Sequence, residues 1–181
     1  MSYFSEMDSY LFGQATHYAF YRNLGAHLME LAGRKGVCFD VWAPKADKVY
    51  VIGDFNGWNE TSHEMYRVEP TSMGVYELFV PDVNEGTRYK YLVIAADGRK
   101  LYKADPYANY AQMRPENASI VADIDHFVWT DDEWMAKRAA TTEEEIFEKP
   151  MAIYEVHPGS WMRHPWRADG GYYSYRDLAE S

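Results

Sequence analysis

The chain has 181 residues, of which 47% are hydrophobic, 25% charged and 17% aromatic, which excludes a disordered or fibrous chain and leaves room for one domain plus flanking segments. Eighteen basic and 28 acidic residues give a net charge of -10, which disfavours nucleic acid and anionic membranes as partners. No segment is long and apolar enough to span a membrane, and residues 1–10 do not resemble a signal peptide. We therefore expect a cytoplasmic protein.

The first 36 residues are predicted to form a short helical N-terminal arm. Asp8 can cap a helical turn at residues 10–12, and Thr16 can cap a helix that ends near Gly25. The turn residues at 33–36 then precede a change to period-two patterning.

Residues 37–125 are predicted to form a mainly β, immunoglobulin-like sandwich, because short apolar runs alternate with turn residues. Asp97-Gly98 is the clearest hairpin signal. The predicted strands cover residues 37–43, 48–53, 75–80, 88–94, 101–103 and 118–121.

The pattern changes again after the predicted sandwich. Residues 126–150 are predicted to be a helix and a linker, with Thr130 and Glu133 forming a capping box. Residues 151–156 read as a strand, and Ser174 as the cap of a helix. A strand followed by a helix is half of a βαβ unit and requires a parallel neighbour. We therefore interpret residues 151–181 as the truncated start of a larger α/β domain.

Three side chains are candidates for binding a flat, hydroxyl-rich ligand. Trp58 follows a sharp turn, Lys90 points away from Tyr89 and Tyr91 by the period-two rule, and Asn117 offers both a donor and an acceptor. The alternatives are a Trp58 ring folded onto the core, a solvated Lys90 and an Asn117 that merely forms a turn.

We nominate no catalytic residues, no cofactor and no metal site from the sequence. The six histidines lack metal-like spacing, and the lone Cys38 reads as strand packing rather than as part of a thiolate site. Acidic residues are plentiful, but no motif marks a catalytic carboxylate pair.

Eight short motifs, in this order, resemble the amino-terminal part of bacterial 1,4-α-glucan branching enzymes. They are YLFG at 10–13, VWAP at 41–44, GDFNGW at 53–58, YKY at 89–91, KADPY at 103–107, RP at 114–115, IYEVH at 153–157 and GSW at 159–161. The middle motifs are similar to carbohydrate-binding module family 48, which precedes a glycoside hydrolase family 13 barrel in those enzymes. Residues 151–181 would then begin a (β/α)8 barrel.

The resemblance implies a glucan site that contains Trp58, Lys90 and Asn117. Arg99 and Lys100 stand where related modules have a second tryptophan, and Tyr102 is the nearest ring. Losing one stacking face, worth about 1–2 kcal/mol, is expected to weaken binding roughly tenfold. The implied ligands are α-glucans, namely glycogen, amylose and maltooligosaccharides.

The resemblance also implies a parent glycosyltransferase that cuts α-1,4 bonds and transfers the glucan to a 6-hydroxyl in glycogen biosynthesis. Its catalytic carboxylates are expected on later barrel strands, so this chain alone should be inactive and the missing barrel is an expected partner. Three alternatives stay open: a stand-alone glucan-binding or regulatory module, part of a debranching enzyme or trehalohydrolase, and a spacer that orients the barrel.

Overall fold

A computed structural model describes residues 4–70, 73–166 and 170–180. The chain divides into two compact units, Met1–Val128 and Trp129–Ser181. The first unit is mainly β, and the second contains short helices.

The first unit contains two antiparallel sheets. Its strands are β1 (Gly25–Leu31), β2 (Arg34–Trp42), β3 (Ala46–Gly53), β4 (Tyr66–Arg67), β5 (Val75–Pro81), β6 (Arg88–Ala95), β7 (Lys100–Lys103), β8 (Tyr110–Ala111) and β9 (Ser119–Ile120). The first sheet has the order β1-β2-β5-β4, and the second has the order β3-β6-β9-β8, with β7 also paired to β6. The predicted strands are thus present, and the mainly β sandwich is confirmed.

The core lies between the two sheets because each strand turns alternate side chains inward. Val37, Phe39 and Val41 from β2 share one buried cluster with Val49 and Val51 from β3. The Asp97-Gly98 hairpin is confirmed, since Gly98 adopts a left-handed φ of 81° between β6 and β7.

The arm differs from its prediction. Helix α1 (Glu6–Gly13) is capped by the Ser5 side chain, which accepts from the Asp8 amide, so Asp8 completes a capping box instead of starting the helix. The helix predicted from Thr16 to Gly25 is wrong: a short 3-10 turn at Phe20–Arg22 is followed by β1. Pairing along the whole of β1 with β2 outweighs the weak helical preference of so short a segment.

The arm covers the outer face of the first sheet. Phe4 and Leu24 form a second buried cluster with residues of that face, and Phe12 and Phe20 pack against this cluster. The Phe12 and Phe20 rings stack with centroids 4.4 Å apart. The first sheet is therefore buried on both faces at this point, which is unusual for a sandwich exposed to water.

The second unit contains α2 (Asp132–Ala140), α3 (Glu143–Glu148), α4 (Pro158–Trp161) and α5 (Tyr175–Ala179). The capping box predicted at Thr130 is wrong, since Asp131 is the N-cap of α2 and makes no side-chain cap. The helix predicted after Ser174 is confirmed, with Ser174 and Asp177 forming a capping box. Over the described ranges, no helix combines the length and apolar character needed to cross a membrane.

The strand predicted over residues 151–156 is not formed. These residues are irregular and exposed, with 85% of Ile153 and 74% of Tyr154 accessible to solvent. A parallel strand obtains its backbone hydrogen bonds only from neighbouring strands, so apolar patterning alone cannot create it.

Replacing Gly36 by alanine is expected to destabilise the sandwich by about 1–3 kcal/mol. A Cβ at this position would lie 2.3 Å from the Val80 carbonyl oxygen and 2.7 Å from the Pro81 Cα, so β2 and β5 would be forced apart. Urea denaturation followed by circular dichroism measures the change. Gly13→Ala is the matched control, because a Cβ there meets nothing within 4 Å; equal stability of the two variants would contradict the packing argument.

Candidate functional site

Over residues 88–91, strand β6 alternates more exposed and fully buried side chains. Tyr89 and Tyr91 are fully buried, and both hydroxyls donate to Asp105 Oδ2, at 2.6 and 3.2 Å. Lys90 therefore lies on the outer face of the second sheet. Its Nζ donates to Asn117 Oδ1 at 2.5 Å, so the strand residue and the loop residue predicted separately form one hydrogen-bonded pair.

Tyr102 shares this outer face with Lys90. The register places Tyr102 of β7 opposite Leu92 of β6, two residues along the strand from Lys90. Diagonal neighbours of this kind lie about 7–8 Å apart. Half of the Tyr102 side chain is exposed, whereas Leu92 is buried. Tyr102 therefore lies beside a buried leucine on this face and is itself partly open to solvent.

Trp58 lies just beyond the end of β3 in a constrained turn. Gly57 and Trp58 both adopt left-handed backbone conformations, with φ of 59° and 62°, and this conformation is unfavourable for a bulky residue. The Trp58 amide donates to the Gly53 carbonyl at 2.9 Å. The turn thus holds the indole in one place, with 37% of it exposed.

The residue of this turn that packs against the core is Phe55, whereas Trp58 is not part of the core cluster. The Phe55 ring stacks near Phe39 with centroids 5.7 Å apart and joins the core cluster between the sheets. The alternative of Trp58 as a ring folded onto the core is therefore disfavoured by the position of Phe55.

The Trp58 turn is held by the side chain of Asn56. Its Oδ1 accepts from the Gly53 amide at 3.0 Å, and its Nδ2 donates to the Val51 carbonyl at 3.2 Å. The same Nδ2 lies 3.1 Å from His63 Nδ1. The Ser62 hydroxyl lies 2.8 Å from the same ring nitrogen, so the tautomer of His63 decides which of these groups donates. Burial also lowers the pKa of His63.

Asp54 connects the Trp58 turn to β6. Its carboxylate accepts from Arg88 Nε at 2.8 Å and from Nη2 at 2.9 Å, and the Trp58 indole donates to it at 3.2 Å. Arg88 holds the pKa of Asp54 below its usual value by these bonds. Arg88 lies two residues from Lys90 on the same face of β6, so the indole and the Lys90–Asn117 pair occupy adjacent positions.

Two further acids attach residues 54–64, here called the turn loop, to the outer face. Glu60 accepts from Lys100 Nζ at 2.5 Å and from the Tyr102 hydroxyl, and the Lys100 bond lowers the pKa of Glu60. Glu64 accepts from the Tyr50 hydroxyl at 2.8 Å, which lowers its pKa. The turn loop is thus fastened to β6, β7 and β3 by three ionised carboxylates.

Lys90 differs from the other cations of this face. Arg88 and Lys100 each neutralise a carboxylate of the turn loop, whereas Lys90 binds a neutral amide. Within the ranges that the structure describes, the Lys90 ammonium and the Asn117 side chain make no other hydrogen bond. They keep donors and an acceptor for a polar ligand, on the face that also carries Tyr102 and next to the turn that holds Trp58.

An open groove extends the face beyond Asn117. It has a volume of about 670 Å³, and its lining includes Gln112, Arg114 and Asn117. A ligand longer than one ring could continue from the Lys90–Asn117 pair into this groove, where both amide and guanidinium groups are available to hydroxyls.

Residues 23–108 match the family described as carbohydrate-binding module 48 (isoamylase N-terminal domain). This part of the chain belongs to that family. The chain is also 50% identical over 178 residues to a 1,4-alpha-glucan branching enzyme GlgB from Butyrivibrio fibrisolvens, covering 98% of this chain and 27% of the relative. It therefore corresponds to an N-terminal portion of a branching enzyme.

Two more branching enzymes show the same coverage. The enzyme from Gloeobacter violaceus is 45% identical, with 99% of this chain and 24% of the relative covered. The enzyme from Bacillus subtilis is 42% identical, with 96% and 26% covered. The chain thus spans about a quarter of the length of the relatives that it matches.

Several residues of the module's outer face were not predicted from the sequence. Asp54, Glu60 and Arg88 do not bear the candidate ligand groups, but they fix Trp58 and Tyr102. Arg88 could have been found, because it alternates with Lys90 on β6. The acids could not, because their partners are 34 and 42 residues away in sequence.

The lowered pKa of His63 is expected to make the module less stable at mildly acidic pH. Since the pKa of His63 is lowered in the folded chain, the unfolded chain takes up the proton first as the pH falls. The free energy of unfolding therefore decreases as the pH falls below about 6.5, the usual pKa of histidine in an unfolded chain. The difference in unfolding free energy between pH 7.5 and 5.5 should be smaller in His63→Gln than in the parent chain. The exposed His126→Gln is the control; equal pH dependence in all three proteins would refute the assignment.

Proposed function

We propose that the outer face of the second sheet binds α-glucan. The observation that carries this proposal is the Lys90–Asn117 pair, which keeps donors and an acceptor on a face where the Trp58 and Tyr102 rings are partly exposed. Trp58 stacks on one sugar ring, and the pair binds neighbouring hydroxyls of the chain. The match of residues 23–108 to a carbohydrate-binding family supports the same conclusion.

Tyr102 serves as the second platform in place of a tryptophan. Its hydroxyl is held by Glu60, so the ring has a fixed orientation before a ligand arrives. Preorganisation lowers the entropic cost of binding. It does not replace the larger indole, so we propose an affinity about tenfold below that of a site with two tryptophans.

The whole protein is proposed to be a cytoplasmic 1,4-α-glucan branching enzyme, in which this module positions the glucan chain for a catalytic barrel. The support is the identity to branching enzymes over nearly all of this chain. Since the chain covers only a quarter of those relatives, we assign the catalytic carboxylates to sequence outside residues 1–181. The predicted arm of residues 1–36 is shortened to the residues before Gly25, because β1 and β2 belong to the first sheet of the sandwich. Residues 126–150 and 151–181 remain the proposed linker and barrel start.

Trp58→Ala is expected to weaken glycogen binding about tenfold or more, because the sugar ring loses its aromatic stacking face. By analogy with nucleobases stacked on aromatic side chains, such a contact contributes about 1–3 kcal/mol. Affinity electrophoresis in gels with and without glycogen measures the retardation. Trp134→Ala is the matched control, because Trp134 is 58% exposed and lies in α2 of the other unit. Unchanged retardation of Trp58→Ala would contradict the proposed binding site. If the parent chain itself were not retarded, the alternative of a spacer that orients the barrel would be favoured.

The 181-residue chain is expected to have no branching activity, whereas a protein extended along its genomic reading frame should branch amylose. Iodine staining and debranched chain-length profiles distinguish the two. A reading frame without a barrel and its acidic residues would contradict the parent enzyme but leave glycogen binding intact, as expected for a stand-alone module.

A further inference from the structure

Three buried ligand groups meet on the outer face of the first sheet, far from the proposed glucan face of the second sheet. Cys38 and Asp40 alternate on β2, and Glu77 of β5 lies directly opposite Asp40. Cys38 is 2% exposed, Asp40 0% and Glu77 1%. One ligand atom from each residue lies within 4.8 Å of the other two.

Asp40 is the unusual member of this cluster. Within the described part of the chain, neither of its carboxyl oxygens has a hydrogen-bond partner, although both are fully buried. Buried polar atoms without partners are rare and costly, and a buried charge requires a counter-ion or a metal. The Asp40 carboxyl group therefore has the Cys38 thiol and the Glu77 carboxyl as polar neighbours, but among the described residues it makes no hydrogen bond.

Glu77 is held in place by the arm and by β4. The Phe4 amide donates to Glu77 Oε2 at 3.3 Å, and the Tyr66 hydroxyl donates to Oε1. Both groups are donors, so each oxygen of the Glu77 carboxyl accepts a hydrogen bond at its place beside Asp40.

We propose that Cys38, Asp40 and Glu77 form a binding site for a zinc-class divalent cation. Sulfur favours Zn²⁺ or Co²⁺ over Mg²⁺ and Ca²⁺, while carboxylate oxygens complete a mixed sulfur and oxygen site. Ligand atoms around a tetrahedral zinc lie roughly 3.3–3.7 Å apart, given metal–ligand distances of about 2.0–2.3 Å. The ligand atoms of the cluster lie within 4.8 Å of one another, so they must approach by up to about 1.1–1.5 Å to reach that geometry.

Metal binding releases protons that the buried groups otherwise retain. Burial raises the pKa of the Cys38 thiol, and burial together with Glu77 raises that of Asp40. A dication reverses both effects: the thiol S–H bond breaks as the metal–sulfur bond forms, and the protons of Cys38 and Asp40 pass to solvent. Without metal, the two carboxyls can share one proton, and this is the competing state.

The site is tested on the 181-residue chain, refolded with Zn²⁺ or Co²⁺ because the arm covers the ligands in the folded protein. After dialysis, we expect one metal ion per chain and, with Co²⁺, a sulfur-to-cobalt charge-transfer absorption. A zinc concentration about a hundredfold above the dissociation constant should raise the Tm by roughly 5–10 °C.

Two variants separate metal binding from folding. Asp40→Asn retains the shape of the side chain and can donate to Glu77, so the metal-free variant should fold but lose the zinc-dependent rise in Tm. Cys38→Ala should lose the cobalt–sulfur absorption. His126→Gln, which removes an exposed histidine, should change neither signal.

The proposal is overturned if the parent chain retains no stoichiometric metal, in which case Asp40 and Glu77 share a proton. It is also overturned if Cys38→Ala and Asp40→Asn keep the metal-dependent signals, which would assign the metal to surface histidines. Affinity electrophoresis of the metal-free chain in gels with and without glycogen is carried out in parallel. It tests the glucan site independently of the metal site.

Discussion

The burial of Tyr89 and Tyr91 is the constraint on which the rest of the sandwich depends. Both phenols reach Asp105, and the Tyr91 hydroxyl also donates to the Asp40 carbonyl of the first sheet at 3.2 Å. β6 therefore joins β3, β7 and β9 laterally and the opposite sheet through its side chains. Because a strand has a period of two, fixing these tyrosines inward also fixes Lys90 outward.

The two outer faces of the sandwich serve different purposes. The arm covers the outer face of the first sheet with Phe4, Phe12 and Phe20, so polar residues that would ordinarily be hydrated there, such as Asp40 and Glu77, become buried. In the described part of the first unit, the turn loop lies along one side of the outer face of the second sheet, and Lys90 and Tyr102 are partly accessible. The same alternation of strand residues thus gives a buried polar cluster on the outer face of the first sheet and a solvent-accessible polar surface on that of the second.

The sequence predicted most of what depends on local pattern. The six predicted strands, the hairpin at Asp97-Gly98 and the outward side of Lys90 all follow from period two and turn chemistry. The strand β1 was missed because its apolar residues also suit a helix, and only pairing with β2 selects the extended form. The Cys38 cluster was missed because Glu77 lies 37 or more positions away and meets Cys38 and Asp40 only through strand register.

The turn loop fixes the aromatic rings on the outer face of the second sheet through a few hydrogen bonds and ion pairs, without extensive packing against that face. Its carboxylates are partly exposed, so each ion pair contributes little to stability, typically below about 1 kcal/mol. Their geometric effect is larger, because Asp54 fixes the Trp58 indole and Glu60 fixes the Tyr102 hydroxyl. A ring that is already fixed in the free protein loses little conformational entropy when a ligand stacks on it, so more of the contact energy contributes to the affinity. These acids therefore act mainly on the orientation of the two rings, and Lys90, bound to an amide instead of an acid, remains the group that can meet a hydroxyl.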